Sequence, residues 1–305
     1  MAAYIAKRFL MSLPVMFAVA TIVFFLIHAI PGDPVDLILG EQALAADRAQ
    51  LAGELGLDKP IVSQYVDFLA GLPSGDWGRS LFDKRPVLSH IRDHAWATVL
   101  LAVCAMFVAV SIAVPAGVFA AVRQGRFWDQ AAMVASLVGI SVPNFWLGPV
   151  LILVFAVELG VLPISGRESL ASLVLPAVTL GFGLSAMLSR LTRASMIDEL
   201  GRDYVTTARA KGLSERAVIF KHAFRNALNP VITIVGIEVG SLLAGAIITE
   251  RVFNWPGIGS LLMDSISRRD YPLVQGCILV IAFAYVVVNA LTDCVYRMVD
   301  PRVKI

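Results

Sequence analysis

Apolar residues run along this chain in long stretches, without the alternation of a half-buried strand or the striped pattern of a surface helix. Six of them suffice for a helix to cross a bilayer core, which takes about 20 residues. They cover roughly 9–30, 97–122, 131–158, 173–189, 230–249 and 273–295. Gly and Ser dilute the fourth, so its ends are soft. Lys7 and Arg8 precede the first, as in a signal peptide. Its length exceeds the 7–15 residues of a signal core and no small-x-small cleavage site follows, so it reads as a retained span. The pattern predicts an all-α membrane protein of six transmembrane helices.

The polar segments between the spans differ in kind. Residues 31–96 open with Pro31-Gly32-Asp33-Pro34, which predicts a sharp end to the first helix. Weak helical patterns follow around 43–56 and 61–71, then loop signals at Leu72-Pro73-Ser74-Gly75-Asp76. The segment is long for a connector and short for an independent domain, so a folded external cap is expected. The chain divides into an N-terminal span (1–30), this external segment (31–96), a five-helix core (97–295) with a polar loop at 197–229, and a tail (296–305).

Charge placement gives the orientation. Lys7 and Arg8 precede span one, Arg123 and Arg126 lie between spans two and three, and Arg297, Arg302 and Lys304 follow span six. Residues 190–225 hold eight Lys and Arg between spans four and five. Six crossings put all four segments on one side, which the positive-inside rule makes cytoplasmic, with both termini inside. Residues 31–96, on the other side, hold ten acids against six bases.

Composition agrees. The 305 residues are 58% hydrophobic and 16% charged, against about 45–50% and 25% in soluble domains. A net charge of +2 is too small for a nucleic-acid footprint, so nucleic acid is not an expected partner. Cys104, Cys277 and Cys294 lie in or beside apolar runs without a C-x-x-C pair and read as small buried side chains. His90 and His94 are four apart but lack a third ligand, so no metal site is expected.

Two stripes of small residues bear on packing. Gly236 and Gly240 form a G-x-x-x-G that Ala244 continues, and Ala177, Gly181, Ser185 and Ser189 repeat the spacing in span four. Such stripes let helix backbones approach closely in lipid. Spacing alone leaves open whether they pack the bundle or form a subunit interface.

The chain has no G-x-x-x-x-G-K-[ST], H-E-x-x-H or G-x-S-x-G, so nothing in it suggests a nucleotide, metalloprotease or serine hydrolase site. An ion-coupled transporter usually carries several ionisable groups within its spans. Here the clearest is Glu238, near the middle of span five, while Glu158 and Asp293 sit close to span ends. A carboxylate at that depth faces the bundle interior or a water-filled path, as part of a substrate route or as a polar packing contact.

The most informative stretch is polar. Residues 203–230, DYVTTARAKGLSERAVIFKHAFRNALNP, set Arg209, Lys211, Arg216, Lys221 and Arg225 against Asp203 and Glu215. Helical spacing over 198–211 puts Tyr204, Val205 and Ala208 on one side, with Lys211 in the last turn and Gly212 at the C-cap. Ser214 then caps a second helix, with Glu215 in its first turn. Val218, Ile219, Phe220, Ala223 and Phe224 give that helix an apolar face, and Asn229-Pro230 closes it and starts span five. The order predicts helix, glycine turn, helix, lying flat on the cytoplasmic face. A basic loop touching lipid headgroups explains the charge but not the central glycine.

These residues resemble the cytoplasmic EAA loop of binding-protein-dependent ABC importer permeases. TARAKG at 207–212 followed by KHAFRNALNP at 221–230 is similar to the dipeptide and oligopeptide branch. So are residues 7–34, LGLDKP at 55–60, residues 250–276 and the VDPRVK tail, so the likeness covers nearly the whole chain. The N-terminal IPGDP is similar to the partner conventionally called B-type.

The resemblance implies a type I ABC importer permease fold in the cell inner membrane. It implies a second homologous permease subunit lining the path, two ABC ATPase subunits carrying ATP and Mg, and an external substrate-binding protein. No cofactor is expected on this chain. Related substrates include di- and oligopeptides, glutathione and nickel complexes. The coupling residues would be Thr207, Ala208, Arg209, Ala210, Lys211, Gly212, Leu213 and Ser214, with Lys221 and His222. Glu238, Ser185 and Gly240 are the candidate substrate-path residues. Thr206-Thr207-Ala208 stands where many importers have Glu-Ala-Ala, and the later I-x-L-P is not met as written, so no specific salt bridge to an ATPase follows. A self-sufficient secondary transporter or channel is the alternative, and an intramembrane enzyme a more distant one.

Overall fold

A computed structural model of the chain describes residues 2–29, 35, 39–40, 44–54 and 56–299. Among them the regular structure is helical, with one isolated bridge between Arg79 and Pro86. We label α1 (Ala2–Ala29), α2 (Ala45–Glu54), α3 (Ile61–Ser74), α4 (Val87–Val122), α5 (Phe127–Ser141) and α6 (Asn144–Leu151). Then follow α7 (Val174–Leu200), α8 (Asp203–Ala210), α9 (Phe224–Val252), α10 (Ile258–Arg268) and α11 (Tyr271–Val299). Five stretches are each long and apolar enough to cross a membrane: Leu10–Ala29, Val87–Val122, Leu170–Leu200, Glu215–Leu243 and Tyr271–Thr292.

The sixth is broken. Where the sequence predicts one span over 131–158, α5 and the helix that follows meet at a 101° bend. Val142 (φ −82°, ψ 117°) and Pro143 (φ −70°, ψ 139°) are both extended at the break. A proline disfavours the helical conformation in the residue before it and supplies no N–H of its own. Hydropathy cannot register such a break, because Val and Pro leave the apolar run intact. After α6 the chain continues as a π-helix over Ile152–Glu158.

The chain divides into two compact units. The first comprises Met1–Thr98 and Pro256–Val286. In it α3 lies along α1: the Thr21 and Tyr65 hydroxyls are 2.8 Å apart, and His28 Nε2 is 3.2 Å from the Gln64 carboxamide oxygen. Phe24 packs against both Tyr65 and Phe68. The external segment is also tied to the C-terminal part of the sequence. Buried Asp270 caps α11, taking the Leu273 amide, and accepts hydrogen bonds from the Ser80 hydroxyl and the Leu81 amide. The Ile258 amide donates to Thr98 Oγ1 at 2.8 Å. The predicted stop at Pro31-Gly32-Asp33-Pro34 and the tail beyond Val299 lie outside the described residues.

The second unit comprises Val99–Trp255 and Val287–Ile305. Its centre is α7, which is apolar or small on nearly every face and buries residues from Leu175 to Met196. The Ala177, Gly181, Ser185, Ser189 stripe is buried within this bundle. A Cβ on Gly181 would stand 2.5 Å from the Ala105 carbonyl oxygen of α4. Gly117 of α4 meets Ser189 and Thr192 as closely from the other side. In the G-x-x-x-G, Gly236 abuts Thr292 of α11, whose hydroxyl donates to the Gly236 carbonyl at 2.9 Å. Both stripes therefore pack the chain against itself, although the side chain of Ala244 lies outside the described residues.

Candidate functional site

The basic block folds as helix, glycine turn and cap up to its second helix. The helix predicted over 198–211, however, is interrupted at 201–202, where α7 ends at Leu200 and α8 starts at Asp203. α8 begins at Asp203 and ends in a Schellman motif. The Gly212 amide donates to the Arg209 carbonyl at 2.9 Å and the Leu213 amide to the Ala208 carbonyl at 3.3 Å. That closure needs a left-handed residue, and Gly212 supplies it at φ +76°. Ser214 caps the next turn through the Ala217 amide at 3.4 Å. Arg209 spans the turn to Glu215 at 2.8 Å.

Beyond Ser214 the structure departs from the expectation. One α-turn (Glu215–Ala217) and a π-helical segment (Val218–Ala223) lead without a break into α9. Pro230 lies inside α9 and does not end a separate helix. A proline in a helix interior forfeits one backbone hydrogen bond, and the continuous run through residue 252 absorbs that loss.

The buried face of the block packs into the second unit. Val205, Ala208, Val218, Ala223 and Ala227 form one apolar cluster with Val118 and Ala121 of α4 and Met196 of α7. Tyr204 holds the same corner. Its hydroxyl donates to the Glu199 carboxylate and receives the Asn226 amide group at 3.1 Å. Burial, then the Glu199 contact, raises its pKa above the ordinary tyrosine value. With one face fixed, Thr207, Arg209, Ala210, Lys211, Gly212, Leu213 and Ser214 are all exposed. Lys221 is exposed and His222 half-buried. Ala208 is the exception among the predicted coupling residues. It points into the cluster and anchors the turn.

Glu238 borders a cavity of about 410 Å³ in the same unit. The broken span contributes Val142, Pro143 and Asn144, α7 contributes Gly183 and Met187, and α9 contributes Glu238 and Ser241. The other two predicted path residues are not in its lining. Ser185 is buried, donating to the Phe182 carbonyl at 2.6 Å, and Gly240 is buried. Asn144 went unnoticed in the sequence because only the bend brings it to the cavity, whereas Ser241, three residues from Glu238 on α9, could have been found from helical spacing.

A bundle of apolar helices with a broken span, a turn anchored by its buried face and an open cavity bordered by a carboxylate fits a membrane permease. The chain belongs to the binding-protein-dependent transport system inner membrane component family, whose pattern matches residues 113–305. The N-terminal component of the same systems matches residues 1–102. The chain is 40% identical to the dipeptide transport system permease protein DppB of Escherichia coli (strain K12) over 99% of this chain and 98% of that one. It is 42% identical to the glutathione transport system permease protein GsiC of the same strain, with the same coverage. GsiC of Shigella dysenteriae serotype 1 (strain Sd197) is equally similar. The fold is that of a type I importer permease, and the chain is a multi-pass inner-membrane protein.

Proposed function

We propose that this permease moves di- or oligopeptides, or a small peptide such as glutathione, into the cytoplasm as one half of a heterodimeric pore. The names of its relatives support that substrate class. Two ATPase subunits carry ATP and Mg beneath it, and an external binding protein delivers the ligand. The observation that carries this reading is the α8–Gly212 turn, anchored by Val205 and Ala208 with its opposite face exposed and carrying Lys211 and the Arg209–Glu215 pair. An energy source outside the chain needs such a fixed, exposed handle. In this reading both termini and the turn are cytoplasmic, following the Lys and Arg distribution.

Glu238 contributes to the substrate path. Its carboxylate borders an otherwise largely apolar cavity, where it suits the protonated amino group of a peptide. The assembled complex tests the whole reading. In proteoliposomes, loaded binding protein should stimulate ATP hydrolysis and ATP should drive peptide uptake. Uptake by the chain alone on a proton or sodium gradient would overturn it in favour of a secondary transporter.

A further inference from the structure

The end of α4 carries a second cavity that peptide transport leaves unused. It measures about 400 Å³ and opens between the last turns of α4 and the π-helical lead into α9. Its walls are apolar, with Phe119, Val122, Ile219, Phe220 and Phe224 among them, and Arg123 is the charged residue in its lining. The Arg123 guanidinium lies 3.8 Å from the centroid of the Phe119 ring. Phe220 is 55% exposed and Val122 45%, so the groove is open along its length.

Its position fits the edge of a bilayer. The span in α4 ends at Val122, and the span that includes α9 begins at Glu215, five residues before Phe220. The apolar walls thus belong to spanning segments, and Arg123 is the first residue past one of them. Arg123 is the one charged side chain among the nine lining residues, and no Asp or Glu lines the groove. An apolar slot whose charged lining residue is a cation is complementary to an amphiphile with an acyl chain and an anionic head. A guanidinium also matches phosphate geometry through two parallel hydrogen bonds.

We propose that this groove holds one anionic phospholipid, its acyl chain along Phe119, Phe220 and Phe224 and its phosphate on Arg123. The bound lipid would pack beside the π-helical segment that joins the docking turn to α9. Lipid composition would then bear on the element that receives the ATPase.

The test uses the full complex in nanodiscs of phosphatidylcholine alone or mixed equally with phosphatidylglycerol, with retained lipid read by native mass spectrometry. Phosphatidylglycerol should be retained about fivefold over phosphatidylcholine, the effect of one well-placed cation. Arg123→Gln should abolish that preference, whereas Arg92→Gln, at the other end of α4, should keep it. A photo-crosslinking phenylalanine analogue at position 220 should yield a lipid adduct. Equal retention of both lipids, an unchanged preference in Arg123→Gln, displacement by inorganic phosphate, or a protein adduct at position 220 would each overturn the proposal.

Discussion

Arg193 of α7 grips Asp129 at the start of α5 through two hydrogen bonds, the Nη2–Oδ2 contact measuring 2.7 Å. Asp129 also accepts the Gly125 amide at 2.9 Å, which fixes the turn between α4 and α5. The Asp129 side chain is 3% exposed and that of Arg193 24%. The pair staples the broken span to the central helix.

Removing either partner strands the other, but unequally. Arg193→Ala leaves a buried carboxylate, and we expect a loss of about 3–5 kcal/mol. Asp129→Ala should cost less, because Arg193 reaches solvent. The double variant should recover part of the loss. Thermal unfolding of the four proteins in detergent checks the order, and equal losses for both single variants would contradict it.

The stripe in α7 makes a sharper test of packing. Gly181 meets the Ala105 backbone at 2.5 Å from an added Cβ, whereas at Gly183 the nearest atoms are 3.9 Å away. Gly181→Ala should therefore destabilise the bundle by about 1–3 kcal/mol, while Gly183→Ala changes little. A melting comparison of the two, made in the same lipid, reads the difference directly.

Asp270 predicts a pH dependence. Burial raises its carboxyl above the ordinary carboxylate pKa, outweighing the Ser80, Leu81 and Leu273 hydrogen bonds. A raised folded value means that the Asp270 contribution is fully present below the unfolded pKa and is lost as pH rises through the folded one. Acidification from neutral pH should therefore lessen the burden this group places on the first unit. Asp270→Asn keeps an acceptor for the α11 cap and should flatten that component, whereas Asp270→Ala should destabilise at every pH. Unfolding midpoints across an acidic series distinguish the three proteins.

Much of this was legible in the sequence because it rests on local rules. The Schellman turn at Gly212 and the cap at Ser214 follow from neighbouring residues, and the spans follow from apolar length. What was hidden depends on distant partners or on backbone alternatives of similar energy. The bend at Val142-Pro143 costs no hydropathy. The continuation past Pro230 is a choice between a break and a tolerated kink that nearby residues do not decide. Asp129 and Arg193 are 64 positions apart, and nothing local to either residue shows that they meet. Ala208 looked like a contact residue by position in the motif. The burial of its side chain beside Val205 shows that its neighbours on the opposite face make the exposed surface.

Gly212 separates shape from charge at the turn that ends α8. At φ +76° any side chain is strained by about 1–2 kcal/mol, yet nothing lies within 4 Å of an added Cβ. Gly212→Ala should fold with a small loss and keep part of its uptake. Gly212→Asp should assemble in part but uncouple ATP hydrolysis from uptake, since it sets a carboxylate on the bare face beside Lys211. Parallel assays of ATPase and uptake read the ratio, and normal uptake in Gly212→Asp would remove the coupling role.

Glu238 offers the most direct view of what passes through. If its carboxylate meets the amino group of a peptide in the cavity, Glu238→Gln should slow uptake of peptides with a free amino terminus by about tenfold, the effect of one lost charge-assisted hydrogen bond. Uptake of the same peptides with a blocked amino terminus should change far less. The cavity is walled by the bend, by α7 and by α9, so Asn144→Ala and Ser241→Ala should alter uptake while stability holds. Ser185→Ala should leave uptake unchanged, because that hydroxyl is spent on the Phe182 carbonyl. Equal slowing of free and blocked peptides by Glu238→Gln would reassign Glu238 to helix packing.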